Sequence, residues 1–349
     1  MKNLQTYENV AVSTRMRLAR NFADYPFPNR LKDEETAHEM VRILYGELKK
    51  VESFVLYEMN SVTEEKAEFL KERNLISQDL WSNRKYSAAL VSGDESISVM
   101  INEEDHIREQ YFIRGYDLRR AYERISGIDD IISEIIPFAY DETLGYLTAC
   151  PTNIGTGLRA SVMLFLPALV RCDKMRSVAH ELKQMGLTVR GAFGEGSGSE
   201  GYMYQISNEV TLGMSELRIL EIVEKAVAAV VAKEFLYREQ LVKELGLDLT
   251  DSVLRAYGIL CNCMKLNAQE FMKLMTEVKL GVVLGILEGD MASLDSLIVD
   301  LRPANINRLN GAALNSEECD IFRAKYVGKE LRSMELFTEK RRNDLYPRR

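Results

Sequence analysis

Apolar and polar residues alternate through Val10-Ala11-Val12-Ser13-Thr14-Arg15-Met16-Arg17-Leu18. That period of two predicts a strand with Val10, Val12, Met16 and Leu18 on one face and Ser13, Arg15 and Arg17 on the other. The same signal predicts strands over 53–59, 96–101, Leu187 to Val189 and Tyr202 to Ile206. Helical spacing predicts helices over 33–50, through Leu118, Ala121, Tyr122 and Ile125, and near 174–185. A further helix is expected to begin near Asp105, and another to run from about Leu158 to Leu169, opened by the loop holding Gly155 and Gly157. No regular βαβ rhythm emerges, so an α+β domain with a largely antiparallel sheet fits best. After Gly213 the pattern turns helical, from Glu216 to Leu245 and from Thr250 to Leu266, which divides the chain into domains at 1–213 and 214–349. The last stretch, with Arg341, Arg342, Arg348 and Arg349, reads as a solvated tail.

Composition narrows the function classes. With 349 residues, 46% of them hydrophobic, the chain can bury a large core, and its net charge of −8 argues against general nucleic-acid binding. No signal core and no apolar run of membrane length is present, so the expected compartment is the cytoplasm, without membrane attachment. Five scattered cysteines suit reduced thiols, and His38, His106 and His180 give no zinc spacing, so no protein-bound metal is expected.

Arginine is what changes the picture. Arg15 and Arg17 project side by side from one strand face, and like charges in that position call for an anionic partner. The segment Asn102-Glu103-Glu104-Asp105-His106-Ile107-Arg108 sets three carboxylates beside a guanidinium at a strand end. Gly155-x-Gly157-x-x-Ala160 matches a dinucleotide fingerprint only superficially, and no Gly-Lys-Ser/Thr comes after it to make a P-loop. The loop can instead present backbone N–H groups and a helix N-terminus to an anion, with Arg159 beside it. Arg15, Arg17, Arg108, Arg159 and Arg190 could then converge on one polyphosphate. A polyphosphate clamp beside carboxylates implies phosphoryl transfer with a magnesium ion on the nucleotide. Several adjacent acids suit a cationic acceptor that must lose a proton in order to attack, and guanidinium meets that description. Cys150, at the mouth of the glycine loop, reads either as a small buried hydrophobe or as a thiolate paired with the acceptor.

Four separated motifs, in this order, resemble the catalytic domain of the phosphagen (ATP:guanido) kinase family. They are Ser-x-Arg-x-Arg at 13–17, Asn-Glu-Glu-Asp-His-x-Arg at 102–108, Cys-Pro-Thr-Asn-x-Gly-Thr-Gly-x-Arg at 150–159 and Arg-Gly at 190–195. Arg17 to Phe22, Arg159 to Met163, Leu166 to Leu169 and Gln205 to Asn208 are closer still to the family's bacterial branch, which acts on arginine in proteins. The resemblance implies a phosphagen-kinase-like catalytic domain followed by a helical C-terminal domain. It implies ATP and Mg²⁺ as cofactors, Glu104 as the catalytic carboxylate supported by Glu103 and Asp105, and Cys150 as the reactive thiol. Nucleotide-binding positions carried over are Ser13, Thr14, Arg15, Met16, Arg17, Asn74, Arg108, Arg159, Ala160, Ser161, Val162, Met163, Arg190, Gly191, Ala192, Phe193, Gly194 and Glu195.

Two positions depart from the family pattern. Asn74 stands where a histidine is common, so the contact to the nucleotide base can differ. The C-terminal phosphoarginine-binding motif of the family reads here Cys319-Asp320-Ile321-Phe322-Arg323-Ala324, without its first arginine, so phosphoarginine sensing through the remaining Asp320 and Arg323 is expected to be weakened or absent. Twelve residues precede Ser13 in this sequence, so the resemblance leads to the expectation of a site without the helical domain with which small-molecule guanidino kinases close over a free amino acid. An open site of that kind suits an exposed arginine on a protein. The resemblance further implies a homodimer, an activating adaptor and hand-over of marked proteins to a Clp protease. Two rival expectations stand beside it: a kinase for a small guanidino compound, and a non-catalytic phosphoarginine-binding adaptor.

Overall fold

A computed structural model of the chain describes residues 7–191 and 200–337. Strand β1 (Ala11–Arg20) leads to helix α1 (Glu34–Val51), whose first turn is capped by the Asp33 carboxylate accepting from the N–H groups of Glu35 and Thr36. Next come strand β2 (Phe54–Glu58), helices α2 (Glu64–Glu72) and α3 (Gln78–Ser82), strands β3 (Ala88–Ser92), β4 (Ile97–Ile101) and β5 (Ile107–Arg114), and helix α4 (Leu118–Ile135). A small hairpin of β6 (Tyr140–Asp141) and β7 (Gly145–Tyr146) precedes β8 (Leu158–Phe165), α5 (Pro167–Arg171), α6 (Met175–Gln184), β9 (Leu187–Gly191) and β10 (Met203–Asn208). Five helices complete the order: α7 (Glu216–Asn262), α8 (Ala268–Val283), α9 (Met291–Asp300), α10 (Pro303–Asn310) and α11 (Ser316–Ser333).

Eight strands form one antiparallel sheet in the order β2-β3-β4-β5-β1-β8-β10-β9. One face is sealed by α1, α4 and the first half of α7, where Met16, Leu18, Ala160, Val162, Ile125 and Val227 share a core. Among the described residues, the other face is covered at its two ends. At one, α2 and α3 pack on Ala89, Val91 and Met100. At the other, the C-terminal helices pack on Phe165, with Val12 and Met203 against them. Helix α7 joins the two cores, with Ile219 to Val231 in the first and Leu241 onward in the second, and it leaves helical geometry at Leu245. The buried Glu234 accepts from the N–H groups of Ala168 and Leu169 at the start of α5 and pairs with Arg238 at 2.8 Å.

Three expectations need correction. The helix expected near Asp105 is strand β5, because Ile107, Glu109 and Tyr111 alternate with Arg108, Gln110 and Phe112, and a buried Glu109 disguises that period. The helix expected from Leu158 is strand β8, where Leu158, Ala160, Val162 and Leu164 face the core and Arg159, Ser161 and Met163 face the other way. Gly155 and Gly157 therefore do not open a helix onto an anion. Both hold positive φ, and a Cβ on Gly155 would meet the Thr211 carbonyl oxygen at 2.3 Å, while one on Gly157 would meet the Ala19 carbonyl oxygen at 2.6 Å. Lastly, a register shift between Ala11 and Ser13 turns Val12 away from Met16 and toward the C-terminal core.

Candidate active site

Register alone gathers the arginines. Arg17 pairs with Arg159 on β8 and with Gln110 on β5, Arg15 pairs with Ser161 and Phe112, and Arg190 on β9 pairs with Gln205. Side chains of cross-strand partners share a face, so Arg108, Arg15, Arg17, Arg159 and Arg190 all rise from the incompletely covered side of the sheet. From β5 to β9 they span four strand spacings, about 19 Å.

These guanidinium groups repel one another. Burial and the neighbouring Arg108 and Arg159 pull the Arg15 pKa down to about 10, with Glu103 opposing. Arg17 is held well below its ordinary value by burial and then by Arg15, Arg108 and Arg159. Burial and Arg190 lower Arg159 as well. Among the described residues Arg15 and Arg17 have no hydrogen-bond partner, and the Nε groups of Arg15, Arg108 and Arg159 are buried without one. Arg159 donates to Ser207 Oγ, at 3.2 Å. Such a row of unmet donors fits a polyanion.

The three acids occupy the tight β4–β5 turn, where Asn102, at φ 57°, donates its N–H to the His106 carbonyl. Each acid has a different environment. Glu103, 7% exposed, receives both its oxygens' contacts from Arg108 Nη1 at 2.5 Å and a further hydrogen bond from the Ser77 hydroxyl. Asp105 accepts from Asn21 Nδ2 and from the Ala149 N–H, each at 2.6 Å, although burial still pushes its pKa up. That pair of bonds draws the turn against the segment carrying Cys150. Glu104 alone is exposed, with neither ion pair nor hydrogen bond among the described residues.

Cys150 is half-buried, with Sγ 3.1 Å from Thr152 Oγ1. His106 is structural: its Nδ1 accepts from the Phe22 N–H at 3.1 Å, its Nε2 donates to the Pro26 carbonyl at 2.9 Å, and its ring stacks on Phe22. Burial pulls its pKa down to about 4. An unfolded-state value near 6.5 means the neutral ring stabilises the fold above pH 6.5, and this contribution is lost as pH falls toward 4. The difference is worth about 3 kcal/mol at most. Thermal melts of the wild type between pH 4 and 6.5 are therefore expected to fall more steeply than those of His106→Asn. Parallel slopes would show that another group sets the acid limit.

Residues 35–236 match the ATP:guanido phosphotransferase C-terminal catalytic domain, and residues 246–343 match the protein-arginine kinase McsB C-terminal domain. The chain belongs to the ATP:guanido phosphotransferase family. It is 42% identical over 336 residues to the protein-arginine kinase of Caldanaerobacter subterraneus subsp. tengcongensis, covering 95% of this chain and 100% of that protein. To the protein-arginine kinase of Geobacillus stearothermophilus it is 40% identical over 333 residues, covering 93% and 91% respectively. Among solved structures, a lombricine kinase matches with a TM-score of 0.59 at 25% identity, over 68% of each chain. The duplicated taurocyamine kinase of Schistosoma mansoni, with bound transition-state-analogue components, matches at a TM-score of 0.60 and 25% identity, over 78% of this chain and 40% of its own.

Within this guanido-kinase frame the structure sorts the expected site residues. Ser13, Arg15, Arg17, Arg108, Arg159, Ser161, Met163 and Arg190 share the arginine face. Thr14, Met16, Ala160 and Val162 point into the opposite core, so only their backbone can serve a ligand. Gly191 ends β9, whereas Ala192, Phe193, Gly194 and Glu195 lie outside the described residues, as do Arg341, Arg342, Arg348 and Arg349. Asn74 is exposed at φ 59°, and its carbonyl accepts from Gln110 Nε2 at 2.6 Å, which places it at the edge of the arginine face.

Asp320 and Arg323 lie elsewhere, in the C-terminal core. Arg323, 1% exposed, donates to the carbonyls of Leu301 and Leu266 at 3.1 and 2.7 Å and to Asp320 at 2.8 Å. Bidentate phosphate binding would require breaking these bonds, so this arginine ties α11 to the ends of its neighbours. Ser77, Gln110 and Asn21 were not anticipated as site residues. Neutral polar residues leave no charge pattern to read, and only the hydrogen bonds disclose them. Ser207 and Asn208 entered solely through resemblance. The latter clamps β8 by accepting from the Ala160 N–H and donating to the Leu158 carbonyl.

Proposed function

We propose that this chain transfers the γ-phosphoryl group of ATP to the guanidinium of arginine residues in proteins. The observation that carries the proposal is the row of guanidinium N–H groups without partners among the described residues, on one sheet face beside an acidic turn whose middle member, Glu104, is likewise unpaired among them. Arg15, Arg17, Arg108, Arg159 and Arg190 hold the phosphates, and their fixed charges favour the transition state more than they favour water. Glu104 orients the acceptor guanidinium and takes its proton as the P–N bond forms and the bond from phosphorus to the ADP oxygen breaks. Glu103 keeps Arg108 aimed, and Asp105 bolts the turn beside Cys150, which lies against the acceptor. Magnesium neutralises phosphate charge when bound. In this reading the ion arrives on the nucleotide and not through a dedicated protein cage.

The names of these relatives support protein arginine over a free guanidino compound as acceptor. No helix among the described residues is long and apolar enough to cross a membrane, and all five cysteines are free thiols, which supports the cytoplasm as the compartment. Homodimerisation, an adaptor and delivery to a Clp protease form part of the same reading. Incubating the enzyme with ATP and either an arginine-rich protein or free arginine tests it, with mass spectrometry under conditions that preserve the acid-labile P–N bond. Phosphoarginine is expected on the protein, with matching ADP release. Turnover of free arginine alone would favour the small-molecule kinase instead.

A further inference from the structure

A run of residues with no assigned role joins the C-terminal helices to the acidic turn. Helix α10 begins at Pro303 without a side-chain cap of its own from Arg302. Its cap comes from the other core: the Glu72 carboxylate accepts from the N–H groups of Ala304 and Asn305 at 3.0 and 3.1 Å and from Asn305 Nδ2 at 3.0 Å. The Arg302 guanidinium donates to the Glu72 carbonyl. Every one of these contacts spans more than two hundred residues of sequence, and all meet on the last residue of α2.

From Glu72 the chain runs straight to the arginine face. Two residues on, the Asn74 carbonyl accepts from Gln110, and the Leu75 carbonyl accepts from Ser98 at 2.5 Å. Ser77 caps α3 and donates to Glu103, which in turn holds Arg108. At the far end of α3, Asn83 Nδ2 donates to the Asn102 carbonyl at 2.8 Å, gripping the same turn from its other side. The segment 72–83 is thus fixed at one end to α10 and at the other to the turn that carries the acids. On the C-terminal side, Arg323 of the degenerate motif donates to Leu301, the residue just before Arg302.

We propose that Glu72 is a positioning residue that latches the C-terminal helices to the catalytic turn, setting the place of Glu103 and Arg108 through the 72–83 segment. The proposal rests on the assignment of Glu103 and Arg108 to the nucleotide site. A carboxylate suits the latch because it meets two backbone donors at the positive end of a helix, where the amide of glutamine offers one acceptor oxygen and no charge. A misplacement of about 1 Å at a reacting centre can cost about 100-fold in rate, so a loosened latch acts at a distance.

The test uses Glu72→Ala, the milder Glu72→Gln, Ser77→Ala and the Glu72→Ala/Ser77→Ala double variant in the full chain. Trp81, the single tryptophan, lies in α3 and reports on the segment directly. Glu72→Ala is expected to lower kcat by about tenfold per folded molecule, with Glu72→Gln between it and the wild type. The double variant should be no worse than the poorer single one, since both cut a single chain of contacts. The nucleotide-induced change in Trp81 fluorescence should shrink in Glu72→Ala. Unchanged kcat and Trp81 response with only a lowered Tm, or fully multiplying effects in the double variant, would overturn the proposal. The fluorescence arm needs no acceptor, so it remains decisive for the latch even if no arginine substrate is turned over.

Discussion

Glu104→Ala is expected to lower the rate of phosphoarginine formation by about 10²–10⁴-fold, the usual contribution of a positioned general base. Nucleotide affinity should be little changed. The reason lies in the division of labour within the turn. Glu103 is committed to Arg108 and Ser77, and Asp105 to Asn21 and the Ala149 N–H, so neither can swing out to replace the missing carboxylate without breaking buried contacts. Glu104 is exposed and makes no hydrogen bond or ion pair among the described residues, so its loss should leave Tm almost unaltered. Because guanidinium has a pKa far above neutrality, the uncatalysed attack has no alternative proton acceptor of comparable placement. Rapid-quench measurement of the P–N product, paired with equilibrium nucleotide binding, checks both halves. Undiminished product formation by Glu104→Ala would refute the assignment. A loss of nucleotide binding equal to the loss of rate would instead make Glu104 part of the clamp.

Charge and period decide how much of this is legible in the sequence. Alternation alone places Arg15 and Arg17 on one strand face, and β1 carries them there. Motif finds Arg108 and Arg159, yet the elements bearing them read locally as helices. Both β5 and β8 sit inside the sheet with one face in the core and the other toward the site, so each shows polar and charged residues where an ordinary half-buried strand shows solvent. Glu109, fully buried beside Asp129 and with its pKa raised by burial, makes β5 look like a solvated helix turn. Gly155 and Gly157 suggest an anion loop, but their left-handed backbone and the carbonyls packed against them answer a steric need. The contacts of Asn21, Ser77, Gln110 and Glu72 bridge residues far apart in the chain, and no local pattern encodes such pairings.

Replacing Arg17 with methionine is expected to weaken nucleotide binding by about 100-fold or more, as removal of a buried charge-assisted contact does. The same change should raise, or at least not lower, the Tm of the nucleotide-free enzyme. Arg17 stands opposite Arg159 in register, beside Arg15 and near Arg108, with Glu103 opposing them. Its pKa is depressed by burial first and by those neighbours second, so the folded state disfavours the charged guanidinium, a penalty that the unfolded chain escapes. Methionine keeps the length and apolar stem while removing that penalty, and binding and stability then move in opposite directions. Inorganic pyrophosphate should stabilise the wild type, because an anion that binds only the folded state adds to its stability, and should do so much less in Arg17→Met. Arg17→Lys separates charge from shape: it retains the repulsion, so Tm stays near the wild-type value, but it loses the planar fork and with it much of the affinity. A joint fall of Tm and affinity in Arg17→Met would mean that this side chain supports the fold, and the arginine row would then be a structural network and not a phosphate clamp.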